Sequence, residues 1–432
     1  MSDITSSPAT PRRAFDWKAS DYLDRIRRRR RSELWLRGAG LLSITLSLGF
    51  LALMLGALTV TGYKAFTQTH IRLDVPIPAE LVDANDVFGS NWRRVMQGAM
   101  AVEFPDLEGR ALRDVTAMLS DGAQFRVRDT VIADPSLIGK SVAITVPTSD
   151  PFDQLAKGLV DRDTPEANRR VTDAQIAAFD KLIAEGRVST PFNTGLFTNA
   201  DSRFPELAGL KGAFVGTFYL LLVCFGIALP VGIGAAIYLE EFAPKNKLSD
   251  LIEVNINNLA AVPSVVFGLL ALSVFLNWFG LIRGSPLVGG MTLALMSLPT
   301  IIIATRAALK AVPPSIREAA LGIGASRQQV VFHHVLPLAM PGIMTGTIIA
   351  MAQAIGETAP LLLIGMNAFM TSAPSTPFES ATTLPTQIYI WADSPERGFV
   401  SRTSAAILVL LAILVMMNGL AIWLRRKFER RW

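Results

Sequence analysis

Long apolar runs alternate with polar stretches along this chain of 432 residues. Gly38 to Tyr63 holds no charged residue, and neither do Gly212 to Leu239, Val254 to Ile282, Gly284 to Thr305 and Thr403 to Leu424. A further run, Val335 to roughly Met366, is interrupted by a single acid, Glu357. A hydrocarbon core about 30 Å thick is crossed by roughly 20 apolar residues in a helix, so these runs predict a polytopic membrane protein with six spans.

Lys64 to Leu210 reads differently. It is polar, with charges of both signs, and its patterning is that of a soluble domain. Ile71-Arg72-Leu73-Asp74-Val75 and Phe125-Arg126-Val127-Arg128 alternate with period two, which predicts half-buried strands. Thr172 followed by Gln175 makes a capping box before Ile176, Phe179, Leu182 and Ile183, which share one helical face, and Gly186 is a natural stop. The order predicted is a tail (1–37), a first span (38–63), a mixed α/β insert (64–211) and a five-span half (212–432). The fold class is mainly α.

Composition supports the membrane assignment, since 50% of residues are hydrophobic and only 18% charged, where soluble domains carry about 25%. The net charge of +5 matters less than its placement. Arg25, the block Arg27 to Arg31, Arg425-Arg426-Lys427 and Arg430-Arg431 flank the outermost spans, and the positive-inside rule puts both termini in the cytoplasm. The loop from Arg306 to His334 then falls inside, and the insert and Asn367 to Arg402 fall outside, in the periplasm of a bacterial inner membrane. Arg12-Arg13 stands too far from the first run for a twin-arginine signal, and Gly38 to Tyr63 is too long for a cleaved one, so that helix is an uncleaved anchor. The lone cysteine, Cys224, is an apolar filler, and His70, His333 and His334 make no zinc set, so neither a metal nor a catalytic residue is expected. Gly139-Lys140-Ser141 ends like a phosphate-binding loop, but the leading glycine is replaced by Asp134.

The most informative stretch lies between the fourth and fifth runs. Pro314 suits the first turn of a helix ending near Leu321, Gly322 and Gly324 permit a sharp turn, and Ser326 with Gln329 caps a second helix that Pro337 should terminate. The residues alone allow a plain surface loop. Their spelling, however, resembles the coupling loop of permeases in ATP-binding-cassette importers: Glu318-Ala319-Ala320, Gly324 and Leu336-Pro337 stand at that family's spacing, with His334 where isoleucine is usual. The resemblance implies a type I importer permease fold, and implies that Arg317, Glu318, Ala319, Ala320, Gly324, Leu336 and Pro337 meet a separate homodimeric ATPase, which would hold the ATP and magnesium.

Ile355-Gly356-Glu357-Thr358-Ala359-Pro360-Leu361-Leu362 is similar to the fifth-span signature of phosphate-importer permeases, in the form of the A-type subunit. Ile237 to Glu241, Val262 to Val266, and Leu384 to Tyr389 with Ser394-Pro395 match as well, so the resemblance covers about half the chain. It implies a C-type permease and a periplasmic phosphate-binding protein as partners, with no nucleic acid. Glu357 lies about 22 Å beyond Gly342 along a helix, a depth at which an unpaired acid is costly. Two readings stand: Glu357 accepts a hydrogen bond from the proton that phosphate keeps at neutral pH, or it ties spans together or caps a broken helix near Pro360. Arg306 is either a positive-inside anchor or, as the resemblance implies, a phosphate contact or counter-charge for Glu357. Gln353 stands where many relatives carry arginine, which leaves more of the cationic contribution to the partner; Thr358 completes the implied pathway set. The competing functions are a permease for sulfate or molybdate, a secondary transporter, for which inverted repeats are missing, and an enzyme or sensor built on the insert, where no catalytic constellation is visible.

Overall fold

In the computed structural model, which describes residues 20–83 and 86–428, the apolar runs become helices. The pairs Arg12-Arg13 and Arg430-Arg431 lie outside the described residues. The chain divides into two units between Ala57 and Leu58. The first carries most of a single helix, α1 (Ser20–Gly62), with a candidate span over Ile26–Phe66.

The second unit begins with the insert, which runs through β1 (His70–Pro76), α2 (Trp92–Glu103), α3 (Gly109–Thr116), α4 (Gly122–Ala133), β2 (Ser141–Pro147), α5 (Asp150–Ala156), α6 (Asp173–Ala184) and β3 (Val188–Ser189). The sheet order is β2-β1-β3, antiparallel throughout, with Leu73 opposite Ile144. Ile71, Leu73 and Val75 are buried while Arg72 and Asp74 are exposed, as the alternation predicts. Phe125 to Arg128 corrects the sequence reading, because it lies inside α4. Four residues are too few to separate period two from a helical face, and the face that decides is Ala123, Val127 and Val131, buried four residues apart while Phe125 is exposed. The capping box of α6 is formed, with Gln175 N–H donating to Thr172 Oγ1 (3.2 Å) and Thr172 N–H to Gln175 Oε1 (2.9 Å). Gly186 follows with φ +71°, a left-handed stop that favours glycine. The insert has its own apolar core, drawn from Ile71 to Leu182 and including Trp92, Met118, Phe152 and Phe179.

After α7 (Gly195–Thr198), α8 (Lys211–Ile237) leads into a π-helical turn at Tyr238–Phe242. The third run is not one straight span. It forms α9 (Lys247–Ala260) and a helix starting with α10 (Ser264–Ala271) and ending at Trp278, bent by 101°. Pro263 causes the break: it lacks an amide hydrogen and sits extended at ψ 140° between Ala261 and Ser264. α9 is also more polar than its apolar total suggested, with Asn255, Asn257 and Asn258 in its last turns.

Next come α11 (Pro286–Lys310), α12 (Pro314–Gly322), α13 (Arg327–Gln329), α14 (Leu336–Gly356), α15 (Ala359–Leu363), α16 (Leu384–Ala392) and α17 (Gly398–Phe428). Among the described residues, five helices are long and apolar enough to cross a membrane, or six if the bent pair is one span. Small residues let them close in: a Cβ on Gly346 of α14 would overlap Ala304 of α11, and one on Gly290 of α11 would strike Val223 of α8. Pro337 does not end the helix before it. A π-helical turn, Val330–Val335, carries that helix into α14, where Pro337 occupies the first turn and needs no amide hydrogen bond.

Candidate functional site

The loop between α11 and α14 folds as a helix, a glycine turn and a second helix. Pro313 and Pro314 open α12, Gly324 takes φ +91°, and Ser326 and Gln329 exchange both bonds of a capping box. The reversal lets Ala325 N–H donate to the Ala320 carbonyl (3.1 Å). Glu318 and Ala319 face outward, joined by Leu321 and by Ile323, which is 82% exposed. Ala320 faces the other way. It is 5% exposed, packed in a cluster with Leu309, Val312, Val331 and Val335. Its small size therefore serves the interior of the loop, not the approach of another surface. Leu336 and Pro337 are half-buried at the root of α14.

The basic residues at this end meet acids that the sequence reading had not paired with them. Arg306 of α11 contacts Glu253 of α9 (2.9 Å) and Glu240 at the end of α8 (3.3 Å), and Lys310 also reaches Glu240 (3.6 Å). Arg317 of α12 holds Glu241 (2.7 Å) and donates to the carbonyls of Leu309 (2.9 Å) and Val312 (2.8 Å). Those carbonyls belong to the last turn of α11 and the corner after it, where helical N–H donors run out. Two adjacent acids closing an apolar run, Glu240-Glu241, were the available signal.

Arg306 is thus committed elsewhere and is not the counter-charge of Glu357. α14 ends at Gly356, and Glu357 turns extended (φ −73°, ψ 124°) before α15 starts at Ala359, with Pro360 in its first turn. Pro360 is held by close approach to α10, since a Cβ on Gly268 would overlap its backbone. Glu357 and Thr358 are half-buried in this break, Gln353 is exposed one turn earlier, and among the described residues Glu357 has no ion-pair partner.

A second charged cluster joins the insert to α17. Arg402, 4% exposed, donates to the Ala208 carbonyl (2.6 Å) and feels the carboxylates of Asp153, Glu206 and Asp150. Lys157 pairs with Asp153 (2.6 Å), and Asp153 also accepts from Thr69 N–H (2.8 Å). Burial, then the neighbouring Asp153 charge, pushes the Asp150 carboxyl up to about 6. Burial also raises Glu206, which accepts from Ser120 Oγ on one oxygen (2.7 Å) and leaves Oε2 buried without a partner among the described residues. Nearby, Trp391 of α16 donates to Asp201 (2.9 Å).

Comparison with known proteins places these features in context. The family described as "Binding-protein-dependent transport system inner membrane component" matches residues 228–432, and a "Domain of unknown function (DUF3333)" matches residues 24–166. A probable ABC transporter permease protein, YqgI of Bacillus subtilis, is 30% identical over 60% of this chain and 96% of its own. The phosphate transport system permease protein PstA of Yersinia pestis is 32% identical over 49% of this chain and 71% of its own. Among solved structures, a chain of the inward-facing MetNI methionine ABC transporter aligns at 20% identity over 51% of this chain and 96% of that one, with a TM-score of 0.41.

Proposed function

We propose, on the premise that this chain belongs to the binding-protein-dependent transport permeases and to their PstA-type branch, that it is the membrane-spanning subunit of an ATP-driven importer of inorganic phosphate. It is a multi-pass inner-membrane protein and a transport component, not an enzyme. ABC importers of this family work with an ATPase and a binding protein. Here the ATPase dimer would supply ATP and magnesium, a C-type permease would complete the pathway, and a phosphate-binding protein would deliver the substrate. Both termini and the α12 loop face the cytoplasm in this reading, and the insert faces the periplasm.

The observation that carries it is the outward face of α12. Glu318, Ala319, Gly322 and Ile323 form a small, partly apolar ridge on a loop whose inner face is already packed, the form a groove of another subunit receives. For the substrate, the support is the kinship to PstA proteins and the unpaired Glu357 at the broken fifth span. A carboxylate there accepts a hydrogen bond from phosphate, which keeps a proton at neutral pH, and finds no donor on sulfate.

The test is uptake by the assembled complex in liposomes. Phosphate should enter with ATP, and Ala319→Arg should abolish uptake and substrate-stimulated hydrolysis with the protein still inserted. Glu357→Gln should assemble and lose most phosphate uptake. Sulfate or molybdate entering in place of phosphate would overturn the substrate reading, and uptake without ATP would overturn the class.

A further inference from the structure

The corner where α8, α9, α11 and α12 meet is more ordered than an ordinary positive-inside boundary. Between α11 and α12 the chain consists only of Ala311, Val312 and Pro313, and Pro313 is extended at ψ 138°. A helix joined through so short a non-helical link can swing about it. The charges at the corner remove that freedom. Glu241, in the π-helical turn that ends α8, grips Arg317 on α12, while its neighbour Glu240 grips Arg306 and Lys310 on α11. Two successive residues thus hold both sides of the link. Arg317 adds its own bonds to the carbonyls of Leu309 and Val312, so one guanidinium ties α12, α11 and α8. Glu241 is 11% exposed on its side chain, and pairs of such burial are shielded from the screening that weakens surface ion pairs. π-helical turns recur at functional sites.

We infer that Glu240 and Glu241 are positioning residues for energy coupling: Glu241 latches α12 to α8 and Glu240 holds α11 to the same turn, so that a displacement of α12 moves α8 instead of being lost at the Ala311–Pro313 link. This rests on the reading of α12 as the ATPase contact. Glu241 is the main latch, because Glu253 keeps hold of Arg306 when Glu240 is neutral.

The experiment uses the full complex in liposomes, with ATPase capture, basal hydrolysis and ATP consumed per phosphate imported measured together. Glu241→Gln keeps the side chain's shape and removes its charge. It should leave ATPase capture and basal hydrolysis at wild-type levels and lower phosphate imported per ATP roughly ten-fold, the scale of one lost charge-assisted hydrogen bond. Glu241→Asp, which keeps the charge but shortens the side chain, should hold the ratio nearer to wild type than Glu241→Gln does, the reverse of what a merely shape-filling role gives. Ala319→Arg, run alongside, reports on the α12 contact itself. A wild-type ratio in Glu241→Gln with a dead Ala319→Arg overturns the latch and leaves the ATPase contact standing. A normal Ala319→Arg removes the premise and the latch with it. Loss of ATPase capture in Glu241→Gln makes the pair a folding element and overturns the proposal too.

Discussion

The charged corner beneath α8 and the charged knot beside α17 are built from the same side chains to opposite effect. At the corner, Arg306, Lys310 and Arg317 each have an acid within 2.7–3.6 Å, so the charges are matched in place. In the knot, Arg402 donates to the Ala208 carbonyl, and the carboxylates around it act from farther away. There burial, and then the neighbouring Asp153 charge, raises the Asp150 carboxyl to about 6, so that it takes up a proton in mildly acidic solution. Matched pairs transmit force, and crowded acids respond to pH.

The largest effect should come from breaking the knot at its only deeply buried base among the described residues. Arg402→Met removes the cation facing Asp150 and Glu206, leaving Asp153 its Lys157 partner, and should cost about 3–5 kcal/mol, read as a lower melting midpoint in detergent. Next is the coupling loss of Glu241→Gln described above.

Smaller, but sharper, is the pH response of the knot. The folded state raises the Asp150 carboxyl from 3.8 to about 6. Its neutral form therefore contributes stability that is fully present below about 3.8 and is lost as pH rises through about 6. Amide exchange in 150–156 and 398–402 should quicken as pH rises through that window, beyond the intrinsic rate change, and Asp150→Asn should flatten the excess. The groups facing Asp150 (Asp153, Arg402, Gln154 and Glu396) stay in place in that variant. The smallest effect is Glu240→Gln, worth under about 1 kcal/mol because Glu253 remains on Arg306, and read as a slight fall in uptake.

The spans, the strand at Ile71, the Thr172 cap and the helix–turn–helix at Pro314 were legible because each is set by local period or by a cap within a few residues. What was not legible depended on partners far along the chain. Ala320 looked like a surface residue until Val331 and Val335 were folded over it. Arg306 looked like an anchor or a mate for Glu357 until Glu240 and Glu253 arrived from α8 and α9. Pro263 and Pro337 show the limit of local rules for one residue type: the first breaks its helix, and the second sits in the first turn of one. Phe125 to Arg128 shows that a four-residue alternation cannot overrule a buried face repeating every four.

The two ends of the insert leave it side by side. Thr67 bridges Phe192, Gln68 N–H donates to the Pro191 carbonyl (3.0 Å), and Asn193 N–H donates to the Phe66 carbonyl (2.7 Å). In the language of evolution, that neck makes everything between Gln68 and Pro191 a cassette. It can be lengthened or exchanged at that neck, with Tyr63–Phe66 and α8 keeping their places, provided the new segment again offers acids to the buried Arg402 of α17. A chassis with such a socket can acquire a new module in one recombination, with the contact at Arg402 as the one surface that must be matched.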